Sequence, residues 1–298
     1  MAGKKDYSNK ALKWKNRKAK IKSLIKYGIL IAVTVFLILF FLFDVTVVRD
    51  NSLRTSLLKG DLVFINKLSY GPFSLNNIPL TRQELYSGRL FEISKPSAGD
   101  VLEIQQFYKD SVSNKEYVYN YFRNCIGGPG DLFSVTDSAI FINGLPTYLD
   151  IITPPDSLSD SLGFTLLNFQ DLIPAKNIEE VFIPAKGTEI PLTPENFKFW
   201  KLLIQSEMTD VVISSENGKV FMNGNRIQSY TFKNDYYAVT GFSELPGKNK
   251  ISWSMVPFEN IVGKAEFVCF SYTNKPAVSS ITDIFKLVRW KRFFNSVK

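Results

Sequence analysis

One stretch constrains this chain more than any other: Tyr27 to Phe43, YGILIAVTVFLILFFLF, seventeen residues without a charge. A run of that length is just long enough to cross a bilayer as a helix. Apolar character resumes after Asp44 with Val45, Val47 and Val48, so the predicted anchor covers 27–48. Residues 1–26 carry ten Lys/Arg against one acid, Asp6, and Lys22 and Lys26 stand directly before the run. Basic flanks stay cytoplasmic, which predicts a cytoplasmic tail over 1–26 and a body on the far side of the membrane. A cleaved secretory leader is the competing reading. The long basic leader and the following FDVTVVRD, which has no small-x-small cleavage pattern, argue against it.

Locating the charge matters more than its sum. The whole chain is +8 and its first 26 residues are +9, so the other 272 sum to −1. No basic face spreads over the body, which removes nucleic acid as a partner. The chain has no histidine. That excludes Ser-His and Cys-His nucleophile pairs and His-ligated metals, and leaves Lys, Asp, Glu, Tyr or Cys for any proton transfer. Two cysteines, Cys125 and Cys269, are too few for a disulfide framework or a four-thiolate zinc site. Whether they pair is left open, and the expectation is no metal and no cofactor.

Beyond the anchor the chain consists of strand-length runs rich in Val, Ile, Phe and Tyr, such as DLVFINKLSY, DVLEIQQF, EYVYNYFRNCIG and AEFVCFSY, punctuated by Gly, Pro, Asn and Asp. This pattern predicts a mainly β body. SAIFINGLP (138–146) and GKVFMNGNR (218–226) each read as a hairpin closed by Asn-Gly. Between them, TPENFKFWKLLIQSE (193–207) predicts a helix with Thr193 as N-cap and Phe197, Trp200, Leu203 and Ile204 on one face. Residues 150–192 carry five prolines and read as part of an insertion. The final ITDIFKLVRWKRFFNSVK mixes apolar and basic residues at helical spacing, which suits either membrane-surface contact or a C-terminal helix packed on the body. GGPGD (127–131) reads as a tight turn, since it lacks the Lys and Ser/Thr of a phosphate loop.

The segment after the anchor, VVRDNSLRTSLLKGDLVFINKLSYGP, resembles the nucleophile box of the type I signal peptidases, roughly SxSMxPTLxxGDxxxVxKxxYG. Ser52 falls on the serine, and Leu57, Gly60, Asp61, Lys67, Tyr70 and Gly71 also match. Leu53, Arg54, Thr55 and Ser56 depart from the usual MxPT. SAGDVLEI (97–104) is similar to the family's RGDVVVF, and YFRNCIGGPGD (121–131) to YxKRxxGxPGD. Residues 236–271 align without a gap on YYxxxGDNRxxSxDSRxWGxVPxxxIxGKAxxxxxS, and VRWKRF resembles the family's C-terminus. The insertion and the KLSYGP and RNCIGGPGD variants are similar to the enlarged signal peptidases of the Bacteroidetes.

The resemblance implies a mainly β fold: a single N-terminal transmembrane helix, a signal-peptidase-like antiparallel sheet body with core parts at 49–149 and 231–280, an inserted cap subdomain at 150–230, and a basic amphipathic tail at 281–298. In the family the serine is deprotonated by a buried lysine. That position is Arg123 here, and a guanidinium offers only donors, so it cannot take the serine's proton. The fourth box erodes in the same places: Phe242 replaces the aspartate of GDNR, Gly247 the serine that helps hold the amine, and Asn249 the aspartate of DSR. Asp50, two residues before Ser52, puts an anion where the family has a small residue near the oxyanion hole. A partly buried Arg123 needs an anion, so it is expected to pair with Asp50 or another carboxylate. Lys59, Lys67, Lys248 and Lys250 read as solvated charges, with Lys248 and Lys250 the substitute bases the sequence offers. Cys125 reads as a small core residue.

By resemblance, a signal peptide adds as a strand beside Val48–Ser52 and Phe122, with Leu57 and Phe122 forming apolar pockets. The leading expectation is a family member in the inner membrane with a periplasmic body. It engages signal peptides of exported proteins, or an active peptidase or translocon component, and has weak or no hydrolysis of its own. The alternatives are an active serine endopeptidase cleaving after Ala-x-Ala with a relocated lysine, and a structural subunit of an export or processing complex.

Overall fold

The computed structural model describes residues 2–51, 53, 56–74, 88–109, 116–135, 140–147, 178–208, 211–242, 251–273 and 287–297. The N-terminal helix α1 (Ala2–Leu42) is continuous through the basic stretch and the apolar run. It stops one residue short of Phe43. The apolar residues that follow, Val45 and Val47, belong to strand β1 (Phe43–Val47), not to an anchor extending to residue 48. β-branched residues with an alternating exposure pattern favour the strand, and the ladder to the next strand fixes it. From Tyr27 to Leu42 the helix rises about 24 Å, less than the about 30 Å of bilayer hydrocarbon. Among the described residues no helix is long and apolar enough to cross a membrane. The side chains of 38–41 lie outside the description.

The body is mainly β, as expected. Six further strands join β1 in one antiparallel sheet: β2 (Asp61–Asn66), β3 (Val101–Lys109), β4 (Glu116–Gly127), β5 (Tyr236–Phe242), β6 (Ile251–Pro257) and β7 (Ile261–Ser271), in the order β1-β2-β7-β3-β4-β5-β6. Both faces of the sheet are covered. Val48, Leu53, Leu57, Val63, Ile65, Val101 and Phe122 pack on one, and Tyr70, Leu102, Ile104, Tyr121, Cys125 and Tyr237 on the other.

A second core gathers Phe133, Trp200, Leu203, Ile204, Phe232 and Trp253 around helix α2 (Phe197–Glu207). The predicted helix face is largely correct, with Trp200, Leu203 and Ile204 buried and Phe197 half-buried. Thr193 is not the N-cap. Its hydroxyl accepts from Asn196 N (3.3 Å) while Asn196 Oδ1 accepts from Thr193 N (2.8 Å), so the two residues brace the turn before the helix. Both Asn-Gly hairpins are present, at Ile142↔Leu145 and Met222↔Asn225, with Asn143, Gly144, Asn223 and Gly224 all at positive φ.

The C-terminal segment packs on the body, but residues 288–297 do not form an α-helix. They follow the half of β7 that β3 leaves uncovered, with a 3-10 turn at Trp290–Arg292 and isolated bridges at Tyr272↔Val288 and Phe267↔Ser296, Phe294 N donating to Val268 O (2.7 Å) and Val297 N to Glu266 O (2.9 Å). Residues 281–286 lie outside the described ones.

Candidate functional site

β1 presents alternate residues to opposite sides. Val45 and Val47 are exposed, whereas Asp44, Thr46 and, continuing beyond the strand, Val48 and Asp50 turn inward. Each inward residue but one meets β3 or β4, strands that are not neighbours of β1 in the sheet. Val48 shares a buried cluster with Leu53, Leu57 and Phe122. The Thr46 hydroxyl hydrogen-bonds the Glu103 carboxyl, which also accepts from Asn120 Nδ2 (3.0 Å). Asp50 lies 3.6 Å from Arg123 Nη1. The sheet therefore curls until its first strand faces its fifth, and a seam forms between 44–50 and the 116–123 stretch of β4. Among the described residues, β5 pairs with Asn124, Cys125 and Gly127 of β4.

At one end of the seam stands Arg123, buried, with its guanidinium 4.9 Å from the Tyr121 ring and Nη1 donating to the Phe122 carbonyl (2.7 Å). The expected carboxylate partner is Asp50. Gly241 makes room for this crossing side chain, since a Cβ there would stand 2.7 Å from Arg123 Cδ. Nearby protic groups do not replace a base. Burial pushes the Tyr121 hydroxyl up to about 12. Burial, with Asp100 and Asp131 adding to it, pushes the Cys125 thiol up to about 12, so it is a core residue, as read from the sequence. Cys125 and Cys269 are both free thiols.

The other end holds two ionisable groups that polarity alone misplaces. Lys67, expected in solvent, is fully buried, with Nζ 3.4 Å from Asp44 Oδ2. Strand parity carried this signal, because Asp61, Val63 and Ile65 are buried and Lys67 continues their phase. Asp44 and Asp50 are six residues apart, about 20 Å along an extended chain, so Lys67 is committed far from the Asp50 end. Glu103 is fully buried where the similar family box has an apolar residue, and its Oε2 has no hydrogen-bond partner. Burial raises its pKa to about 7, against hydrogen bonds from Thr46 and Asn120 and the nearby Lys67 charge, and with the Asp44 charge adding to the rise.

The loop between β1 and β2 is tied down from the C-terminus. Asp61, fully buried, accepts from Arg292 Nη2 (2.6 Å), Leu58 N (2.8 Å) and the Ser271 hydroxyl, while Arg292 Nη2 also donates to Ser56 O (2.8 Å). Arg289 Nη1 lies 3.5 Å from the same carboxylate. Gly60 matters here, since a Cβ would fall 2.2 Å from the Tyr272 carbonyl oxygen and its φ is +90°. GGPGD is a turn, with Gly128 N donating to Asp131 Oδ2 (2.8 Å).

Of the residues singled out from the sequence, Val48, Asp50, Leu57, Phe122 and Arg123 come together along this seam. Ser52, Gly247, Lys248, Asn249 and Lys250 lie outside the described residues, as does the side chain of Phe242, whose backbone ends β5. Lys59 is exposed.

A sequence profile described as signal peptidase, peptidase S26, matches residues 21–270. A protein of Rickettsia massiliae (strain Mtu5) named Signal peptidase I is 25% identical over 224 residues, covering 75% of this chain and 70% of its own length. One of the same name from Helicobacter pylori (strain ATCC 700392 / 26695) is 24% identical over 279 residues, covering 89% of each chain.

Proposed function

The chain belongs to the signal peptidase family, peptidase S26, and on that premise we propose that it is a membrane-anchored member with weak or no hydrolysis of its own. It engages the signal peptides of exported proteins, or a peptidase partner that carries them, at the periplasmic face of a bacterial inner membrane. The observation that carries this reading is the occupant of the base position. Arg123 has only donors to offer, is engaged by Asp50 and the Phe122 carbonyl, and cannot itself take a serine proton. Asp50 adds an anion near the place where acyl transfer would build an oxyanion.

Peptide engagement does not need the base. An extended segment entering between 44–50 and 116–123 would use main-chain groups of β4 and lay alternate side chains onto Val48, Leu57 and Phe122. Residues 27–42 would form the anchor, with the basic 1–26 in the cytoplasm. The helix is short for a span, and the sheet supplies apolar surface at its exit. Phe43, Phe64, Phe267 and Phe294 form a chain of rings on the outer face, with centroids 5.1, 4.8 and 6.0 Å apart, and Trp290 and Phe294 are exposed beside Lys291 and Arg292. Such a surface suits the headgroup region of lipid. Residues 150–230 would act as a cap.

A second reading is an active enzyme, cutting after Ala-x-Ala, and the name Signal peptidase I carried by the relatives favours it. It requires Lys248 or Lys250 to take over as base. The test of engagement is cross-linking in detergent between the full chain, with a photoreactive residue at Val48 or Phe122, and a synthetic signal peptide. Labelling competed by unlabelled peptide is expected. Absence of labelling from both positions in folded protein would refute peptide engagement.

A further inference from the structure

The C-terminal VRWKRF carries two arginines three residues apart, and the chain winds a 3-10 turn at Trp290–Arg292, with Arg292 N donating to Arg289 O (3.0 Å). Side chains three apart eclipse in such a turn, so both guanidinium groups leave the segment on one side. The turn is fixed to β7 independently of them. Trp290 stacks on Phe293 (5.4 Å between centroids), Phe293 meets Phe270 edge-on (5.2 Å), and Arg289 N donates to Ser271 O (2.9 Å). What the arginines reach is the second half of the loop between β1 and β2. Arg292 Nη2 donates to both Asp61 Oδ2 (2.6 Å) and Ser56 O (2.8 Å). Arg289 Nη2 donates to Lys59 O and Tyr272 O (both 2.6 Å), with Nη1 3.5 Å from Asp61.

From those two carbonyls the grip passes to both neighbours of Ser52. Lys59 N donates to the side chain of Asn51 (3.3 Å), the residue before it. Ser56 N and Leu57 N donate to the carbonyl of Leu53, the residue after it (3.0 and 2.7 Å), and Leu53 and Leu57 are buried. The base of the loop is closed by Val48 N on Asp61 O (2.8 Å) and Gly60 N on Val48 O (2.9 Å). Charge decides how firmly this holds. Asp61 is fully buried, and among the described residues its countercharges are these two arginines. Letting go would leave a bare buried carboxylate, which makes release costly and all-or-none. We propose that Arg289 and Arg292 are positioning residues, and that the C-terminal strap 288–297 is a latch that holds the loop 51–60 and thereby sets the Ser52 position. The latch is independent of peptide engagement and of whether that serine reacts.

The test is amide hydrogen exchange of full-length protein in detergent. Every amide from Ser56 to Asp61 is hydrogen-bonded within the loop or across its base, so exchange there reads the loop's opening, with β3 and β4 as internal reference. Arg292→Lys and Arg289→Lys keep a positive charge beside Asp61 but lose the planar fork that holds carboxylate and carbonyl together. Loss of one hydrogen bond to a charged group corresponds to about ten- to hundredfold in an equilibrium constant. Exchange over 56–61 should accelerate by that factor in each variant while β3 and β4 exchange as in the parent. A countercharge that does not position the loop would be replaced by lysine, so unchanged exchange over 56–61 in both variants overturns the latch. Acceleration of β3 and β4 by the same factor as 56–61 means general destabilisation and overturns it too. If one variant does not fold, the other carries the test, since each arginine grips a different carbonyl of the loop.

Discussion

Glu103 ties pH to stability in a direction opposite to most carboxylates. Its pKa stands at about 7 in the fold against an ordinary 4.5, with burial as the main cause. Between those values the folded chain holds a proton that the unfolded chain has released, so stability falls as pH rises from 4.5 to about 7 and is constant above that. The difference amounts to about 3 kcal/mol. Glu103→Gln keeps the shape and the acceptor for Asn120 but does not titrate. Relative to the parent it should gain about 3 kcal/mol between pH 4.5 and pH 8, which for a chain of this size is roughly 6–12 °C in Tm. Other shifted carboxyls do not imitate this. Burial would raise Asp100, but hydrogen bonds from Lys264, Ser97 N and Tyr70 hold it low, and Asp235 is held low against burial by Lys186 N and Lys95. Their contributions are lost only at more acid pH. Glu259, pushed up by burial and by Glu207, is common to both proteins and cancels in the comparison. Calorimetry of parent and variant in detergent across pH 4.5–8.5 checks this. Parallel Tm profiles would refute a shifted proton on Glu103.

Two more perturbations probe the frame of the site. Arg292→Ala should cost about 3 kcal/mol by chemical denaturation, because Asp61 is fully buried and keeps only the more distant Arg289 as countercharge; Asp61→Asn in the same background should recover part of that loss. Gly241→Ala sets a Cβ 2.7 Å from Arg123 Cδ and should push the guanidinium off Asp50. In that variant Asp50→Asn should add no more than about 0.5 kcal/mol of further destabilisation, whereas in the parent it should cost at least 1 kcal/mol.

Much of this was legible in the sequence where the physics is local. Asn-Gly turns, the apolar face of α2, the alternation of DLVFIN and the helical character of 27–42 follow from periods of two and 3.6 residues. The Arg123–Asp50 pair was also foreseeable, because a buried guanidinium requires an anion and Asp50 stands beside the nucleophile position. Over residues 288–297 the helical reading gives way because VRWKRFF has the right spacing but an uncovered half of β7 beside it, and main-chain hydrogen bonds to that edge override propensity. Lys67 was missed although the parity of Asp61, Val63 and Ile65 signalled its burial, and Glu103 was missed for a nonlocal reason. A strand covered on both faces, such as β3, shows no alternation by which an inward Glu could be noticed. Their partners lie on β1 and β4, which the curl of the sheet brings together and no spacing announces.

The central claim is that a signal peptidase fold is kept here while its base position holds a group that cannot act as one. Its most direct test is cleavage of a preprotein by purified full-length protein in detergent, beside Ser52→Ala and Arg123→Lys. Protein with intact folding and bound signal peptide should show weak or no cleavage, and any rescue should come with Arg123→Lys. Efficient cleavage by the parent that Ser52→Ala abolishes would mean that another base serves this serine, and would contradict the account.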